Sequence, residues 1–323
     1  MHQSIRILNQ IEAKDPLLVA AWPGMGNVAF GAAMYLKESL KALKFAEIQP
    51  QDFFFKTGVQ ITEGIIDIPA LPRNEFFWYK APRGISDLII FLGESQPVME
   101  KEYGIAQRVV EVALCYRVKE IITFAATPVN ITHRDEPGVW GVATERSILE
   151  RLPVLGVKTM SAGHIGGLNG LLLGVGKEAG IGGLCLLGEI PFYTAKIENP
   201  KSSLAVLKVF TRYVSIRLDF NGLIQMARFV EEEVEKVSKA TRQTIFGEEQ
   251  KRDVKETGES EEVSGSVEGK TVTREVRERI EYLFEAATKD ISRAGELKKE
   301  LDRWGLFQDY EDRFLDLFGK RHL

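Results

Sequence analysis

Short runs of consecutive apolar residues alternate along this chain with longer stretches whose apolar positions recur every three or four residues. The first run, Leu17-Leu18-Val19-Ala20-Ala21, has the unbroken apolar character of a strand buried on both faces. It breaks at Trp22-Pro23-Gly24-Met25-Gly26-Asn27. Helical spacing follows over about Val28–Ala42, with Leu36, Leu40 and Leu43 on one stripe. Ala46–Gln49, Phe53–Ile61 and Phe76–Lys80 read as strands, the second rich in the Phe, Thr, Val and Ile that sheets favour. Pro69, Pro72 and Pro82 punctuate that region. Further strands are expected at Asp87–Gly93, Glu120–Ala126, Val139–Ala143, Val157–Ser161 and Gly183–Leu187. Helices are expected at Glu100–Arg117, where Ile105, Val109, Val112 and Tyr116 are three or four apart, at Thr144–Leu152 with Thr144 as cap, and at Leu168–Ala179.

Buried strands alternating with amphipathic helices predict an α/β fold: a mostly parallel sheet covered on both faces, in three α/β/α layers. Ten of the 26 residues Gly163–Gly188 are glycine, in a chain with 29, so tight turns and a close helix–strand approach are expected there. Lys201–Leu218 and Asn221–Lys239 add two helices. Gly247–Lys270 then lacks aromatic residues and is rich in Glu, Lys, Ser, Gly and Thr, as a disordered acidic linker would be. Thr271–Leu323 regains an apolar helical stripe through Val272, Val276, Ile280, Leu283, Ala287 and Ile291. Three regions result: an α/β domain at 1–246, a linker at 247–270 and a C-terminal helical module at 271–323. The module is too short to bury so much apolar surface alone, so it is expected to serve association, in cis or in trans.

Composition narrows the function classes. The net charge of −4 is carried by residues 247–270, which hold eight acidic and four basic side chains. The rest is neutral, with no footprint for a phosphate backbone, so no nucleic-acid partner is expected. No apolar run reaches the roughly 20 residues that span a bilayer, and no apolar signal region follows Met1–Arg6, so a cytoplasmic chain without a membrane partner is expected. Cys115 and Cys185 each sit in an apolar run, where reduced, buried thiols are expected. Four scattered histidines and two cysteines offer no metal-ligand spacing.

Ligands of such sheets bind at the carboxyl ends of the strands. Trp22–Asn27, Gly93–Gln96, Thr127–Asn130 and Gly188–Pro191 all follow expected strands. Gly24 and Gly26 could turn backbone N–H groups toward an anion, but Ala29 replaces the third glycine of the dinucleotide fingerprint. Glu47 answers only weakly for its acidic residue, and a tight turn is the favoured reading. Gly176-Lys177 is followed by Glu178, which excludes a P-loop, and no cofactor is expected. His164 has the chemistry of a general base, or is a histidine hydrogen-bonded within a glycine turn. His133 reads as an ordinary loop residue. Glu94 and Glu189 could pair as carboxylates in a cleft, although exposed loop acids are commoner. The candidate pocket therefore comprises Gly24, Met25, Gly26, Asn27, Glu94, Thr127, His164, Asn169 and Glu189, with no residue assigned to catalysis. If it were an active site, Asn27, Glu94, Thr127, His164 and Glu189 should converge on it.

Three motifs together resemble the PAC2 family, relatives of the proteasome assembly chaperones: Ala21-Trp22-Pro23-Gly24-Met25-Gly26-Asn27-Val28, Gly163-His164-Ile165-Gly166-Gly167-Leu168-Asn169-Gly170, and Leu187-Gly188-Glu189-Ile190-Pro191. The resemblance covers about Leu17–Val237. It implies a phosphorylase/hydrolase-like α/β/α sandwich, a homo-oligomer, and chaperone-like binding of protein partners, proteasome α subunits among them. The alternative that the fold implies is a hydrolase- or phosphorylase-like enzyme, or a sensor, for a small anionic or nucleoside-like ligand. Family members that engage proteasomes can end in a hydrophobic–tyrosine–any tripeptide. This chain ends Arg321-His322-Leu323, so a docking peptide of that type is not expected.

Overall fold

In a computed structural model, the apolar runs form the centre of a nine-stranded sheet. The structure describes residues 2–236, 274–289, 294–304, 306, 310 and 313. They fall into two compact units, Met1–Gln250 and Lys251–Leu323.

In the first unit the strands are β1 (Ile5–Ile7), β2 (Leu17–Ala21), β3 (Leu43–Ile48), β4 (Gln60–Thr62), β5 (Ile65–Asp67), β6 (Asn74–Tyr79), β7 (Leu88–Gly93), β8 (Glu120–Val129), β9 (Val139–Ala143), β10 (Lys158–Thr159) and β11 (Gly182–Pro191). The large sheet runs β1-β3-β6-β7-β2-β8-β11-β9-β10, and β4 and β5 pair separately. Its four central strands, β7, β2, β8 and β11, are mutually parallel. The flanks are antiparallel: β1, β3 and β6 on one side, β9 against β11 on the other.

The helices are α1 (Val28–Ser39), α2 (Met99–Cys115), α3 (Arg146–Leu149), α4 (Leu168–Glu178), α5 (Pro200–Tyr213) and α6 (221–236). Strand β2 shows why the sheet needs two covers. Val19 and Ala21 pack into one core with α1 and α5, while Leu18, Ala20 and the adjoining Trp22 pack into another with α2 and α4. All five side chains are fully buried, so an unbroken apolar run is what a three-layer fold requires there.

The glycine block lets α4 lie close to the strands. A Cβ added at Gly176 of α4 would stand 2.7 Å from Ile121 Cδ1, and one added at Gly183 of β11 would stand 2.7 Å from Leu173 Cδ2. These approaches are shorter than side-chain contacts allow, so Gly176 and Gly183 belong to the packed interior, whereas Gly163, Gly166, Gly174 and Gly180 of the same block are exposed.

Several local expectations are corrected. Helix α1 stops at Ser39, Lys41 takes φ 52°, and Leu43 starts β3 on the surface instead of extending the helical stripe. The expected strand Phe53–Ile61 is mostly not one: Phe53 and Phe54 turn into the core, and pairing begins only at Gln60. Strand β1 and strand β5 carried too short a pattern to be anticipated. Thr144 does not cap a helix; Glu145 precedes α3, and Thr144 Oγ1 accepts a 2.8 Å hydrogen bond from Gly183 N–H. Cys185 is buried, and burial pushes its thiol up to about 12. Cys115 is exposed because it falls off the stripe by which α2 meets the sheet.

The second unit holds α7 (Arg274–Lys289) and α8 (Ala294–Arg303). Val276, Ile280, Phe284, Leu297 and Leu301 form its apolar cluster, with Trp304, Leu306 and Tyr310 against it. The proposed linker 247–270 and the terminal Arg321-His322-Leu323 lie outside the described residues. Among the described residues, no helix is long and apolar enough to cross a membrane, and no group of three or more His, Cys, Asp or Glu side chains could hold a metal ion.

Candidate functional site

The four parallel strands end at one edge of the sheet. There α1 leaves β2 on one face and α2 leaves the neighbouring β7 on the other, which opens a crevice between the two connections. A cavity of about 150 Å³ lies at this edge, lined by Gly24 and Met25 after β2, Gln96 after β7, Thr127 in β8, and His164 and Asn169 around the start of α4. Five of the nine residues expected to form a pocket thus do share one: Gly24, Met25, Thr127, His164 and Asn169.

Gly26 and Asn27 do not join them. They line a separate groove with Phe30, Met34, Tyr35 and Met226. Gly26 has φ +59°, which favours glycine, and a Cβ there would crowd Asn199 Cβ at 3.2 Å. Three amides of this turn are committed within the chain, the Gly26 amide among them. Gly26 N–H donates to Ala195 O at 2.7 Å, Asn27 N–H to Gly24 O at 2.9 Å, and Val28 N–H to Met25 O. The motif therefore works as the tight turn that seats α1.

Asn169 lines the cavity but its polar atoms serve the scaffold. Its Nδ2 donates to Trp22 O at 3.0 Å, and its Oδ1 accepts from Trp22 N–H at 2.9 Å. The side chain closes the backbone valences of a fully buried residue where β2 ends. Gln96 plays a matching part: its Nε2 donates to Pro23 O at 2.7 Å, and its Oε1 accepts from Leu168 N–H at 3.2 Å at the start of α4. Gln96 was not singled out from sequence, although the loop carrying it was, because nothing local marks an amide whose partners lie in other elements.

Neither candidate carboxylate reaches the cavity. Glu94 is bound to Arg73, accepting from its Nε at 2.7 Å and its backbone N–H at 2.9 Å, and Arg73 holds its carboxyl below the usual range. Glu189 sits within β11, directly paired with Thr127, because the strands run further than their apolar cores suggest. It is buried, and its oxygens accept from Gly138 N–H (2.8 Å), Trp140 Nε1 (2.8 Å) and Lys158 Nζ (3.0 Å). Burial pushes its carboxyl up, but Lys158, Gly138 and Trp140 outweigh it and leave the group below the usual 4.5. A lowered folded value means that ionised Glu189 adds stability above its unfolded value, and that this stability is lost as pH falls through the folded one. Glu189→Gln should therefore lower the urea midpoint at neutral pH, and its deficit should shrink as pH falls below the usual 4.5 and the wild-type carboxylate protonates. A deficit independent of pH would refute this.

His133 proves more engaged than an ordinary loop residue. Its Nε2 lies 2.7 Å from Glu235 Oε2 and its Nδ1 2.8 Å from the Tyr193 hydroxyl, tying the loop after β8 to α6. Lys201 Nζ reinforces the same junction by donating to Glu231 at 3.0 Å. These partners are some 100 residues apart for His133 and Glu235, beyond the reach of any local pattern.

The fold is that of a known class. The PAC2 family model matches residues 18–238, and the chain belongs to the PAC2 family. PbaB of Pyrococcus furiosus, described as an archaeal proteasome activator, is 30% identical, with a TM-score of 0.63 over 72% of this chain and 98% of that one. PbaA of the same organism, described as an archaeal homolog of proteasome-assembly chaperone, shares the fold at 20% identity and TM-score 0.58, over 79% of this chain and 100% of that one. Uncharacterized protein MJ1210 of Methanocaldococcus jannaschii is 28% identical over 228 residues, 70% of this chain and 84% of its own.

Proposed function

We propose that this chain is a non-enzymatic, homo-oligomeric PAC2 protein that binds protein partners in the manner of proteasome-assembly chaperones, with proteasome α subunits as the partner. The observation that carries this reading is the dispersal of the candidate chemistry. Glu94 is held by Arg73, Glu189 by Lys158 and Trp140, and Asn27 lines a different groove. Thr127 and His164 are left in a cavity whose wall, among the described residues, holds no carboxylate to orient the imidazole. The similarity to PbaB, which extends over 98% of that chain, supports the choice of partner. Co-expression with the α subunits of the same source, followed by affinity purification and native electrophoresis, tests it. A stable complex is expected, and recovery of the chain alone would count against the reading.

The helical module is part of this proposal. Deleting residues 247–323 should change the oligomer mass read by light scattering, and an unchanged mass would remove the module from the assembly.

A second reading, a small-ligand sensor, draws on the cavity at the strand ends. Its volume of about 150 Å³ is well below the roughly 300–1,000 Å³ of drug-sized ligand sites, so a phosphate-sized ligand suits it better than a nucleoside. A thermal-shift screen with phosphate and nucleotides separates the readings.

A further inference from the structure

Residues 55–70 are exposed throughout, and the separate sheet of β4 and β5 lies among them. The excursion is anchored at both feet, by buried Phe53 and Phe54 at one end and by Leu71 against the same core at the other. Its turn is Glu63-Gly64, with φ of 51° and 81°, as two-residue hairpin turns require. Pairing runs Gln60 with Asp67, Ile61 with Ile66 and Thr62 with Ile65. Alternation therefore places Ile61 and Ile66 on one face, flanked by Val59 and Ile68, and puts Gln60, Thr62, Ile65 and Asp67 on the other.

One face of this arm is wholly aliphatic, yet Val59, Ile61, Ile66 and Ile68 are 56%, 68%, 64% and 63% exposed. A two-stranded hairpin is marginal in water unless its apolar face packs on something, and alternation of this kind belongs to half-buried strands. We propose that the β4–β5 hairpin is an association arm whose aliphatic face is covered by a second copy of this chain. The proposal rests on the oligomeric part of the function proposed above.

The size and chemistry of the face favour a second copy over a foreign protein. Four aliphatic side chains present only about 400 Å², half of the roughly 800 Å² that each partner buries in a stable interface. In a two-fold pair the patch is used twice, since each subunit buries its own arm and the surface that its partner's arm covers, which brings the area to about 800 Å² per subunit. The face also carries no charge with which to select an unlike partner; Glu63 and Asp67 stand at the turn and on the opposite face. Lys101 Nζ lies 5.9 Å from the Phe55 ring at the foot of the arm, and Val98 and Met99 beside it at the start of α2 are exposed, so more apolar surface adjoins the arm.

The test is light scattering and sedimentation on the full chain, wild type against Ile61→Glu/Ile66→Glu, with thermal melting of both. Both side chains are exposed on the single subunit, so the variant should still melt cooperatively, with its Tm lowered only by the lost association, while the mass falls at least two-fold. An oligomeric wild type with an unchanged variant mass would overturn the arm and leave the chaperone-like reading standing. A wild type that is monomeric at all concentrations would overturn both. A photo-crosslinker at position 66 should join two copies of the chain; crosslinks to α subunits alone would also overturn the proposal.

Discussion

Replacing Gly170 with alanine should destabilise the α/β unit, whereas the same change at Gly174, one turn along the same helix, should stabilise it. A Cβ on Gly170 would overlap the Ile165 carbonyl oxygen and stand 2.8 Å from Ile165 Cγ2. The obstructing atom is backbone and cannot rotate away, so either the loop entering α4 or the helix must shift. Overpacking of this kind costs about 3 kcal/mol at the upper end of its usual range. The gain of replacing a helical glycine offsets roughly 0.5–1 kcal/mol, leaving a net loss of about 2 kcal/mol. For a unit of this size that lowers Tm by about 4–8 °C. At Gly174 no atom of the described residues beyond the helix's own backbone lies within 4 Å of the added Cβ, so only the helix-propensity gain remains, and Tm should rise by about 1–4 °C. Gly176→Ala should fall between them, because its obstacle is the Cδ1 methyl of Ile121, the mobile end of a buried side chain. Calorimetry on the three variants checks the series, and equal effects at positions 170 and 174 would mean that α4 is not set by the close approach of its backbone.

Asn169→Leu should cost more. The leucine fills similar space but strips Trp22 of both of its backbone partners, at 2.9 and 3.0 Å, within a fully buried segment. Each buried backbone group left unpaired costs about 1–3 kcal/mol, so a loss of about 4 kcal/mol is expected from urea unfolding. The same variant decides what Asn169 is for. A variant of wild-type stability that had lost only ligand or partner binding would return the residue to the recognition site and contradict the clamp.

Much of the architecture is legible along the chain because it is locally encoded. Leu17–Ala21, Asp87–Gly93 and Glu120–Ala126 are strands for the reason their runs imply: both faces meet helices. The helix at Leu168 is likewise where glycine and leucine place it. The flanks were less legible. Ile5–Ile7 is three residues long, and the hairpin around Glu63-Gly64 carries alternating aliphatic residues whose second strand was hidden among prolines and its turn glycine. Phe53 and Phe54 look like strand residues but leave the sheet direction to fill the core, since burial of two aromatic rings outweighs local β preference. Of the site, the glycine turn and His164 could be found from the motifs, but their division between a cavity and a separate groove could not.

What the chain determined unaided is the series of buried strands, amphipathic helices and glycine turns, because each depends on neighbours a few residues away. The tertiary structure alone decided that Trp22 meets Asn169 across 147 positions, that Glu189 is bound by Trp140 and Lys158, and that four aliphatic side chains of one hairpin face stand in solvent. Pairing between distant elements depends on strand order and on how closely helices can approach the sheet, and no local periodicity encodes either.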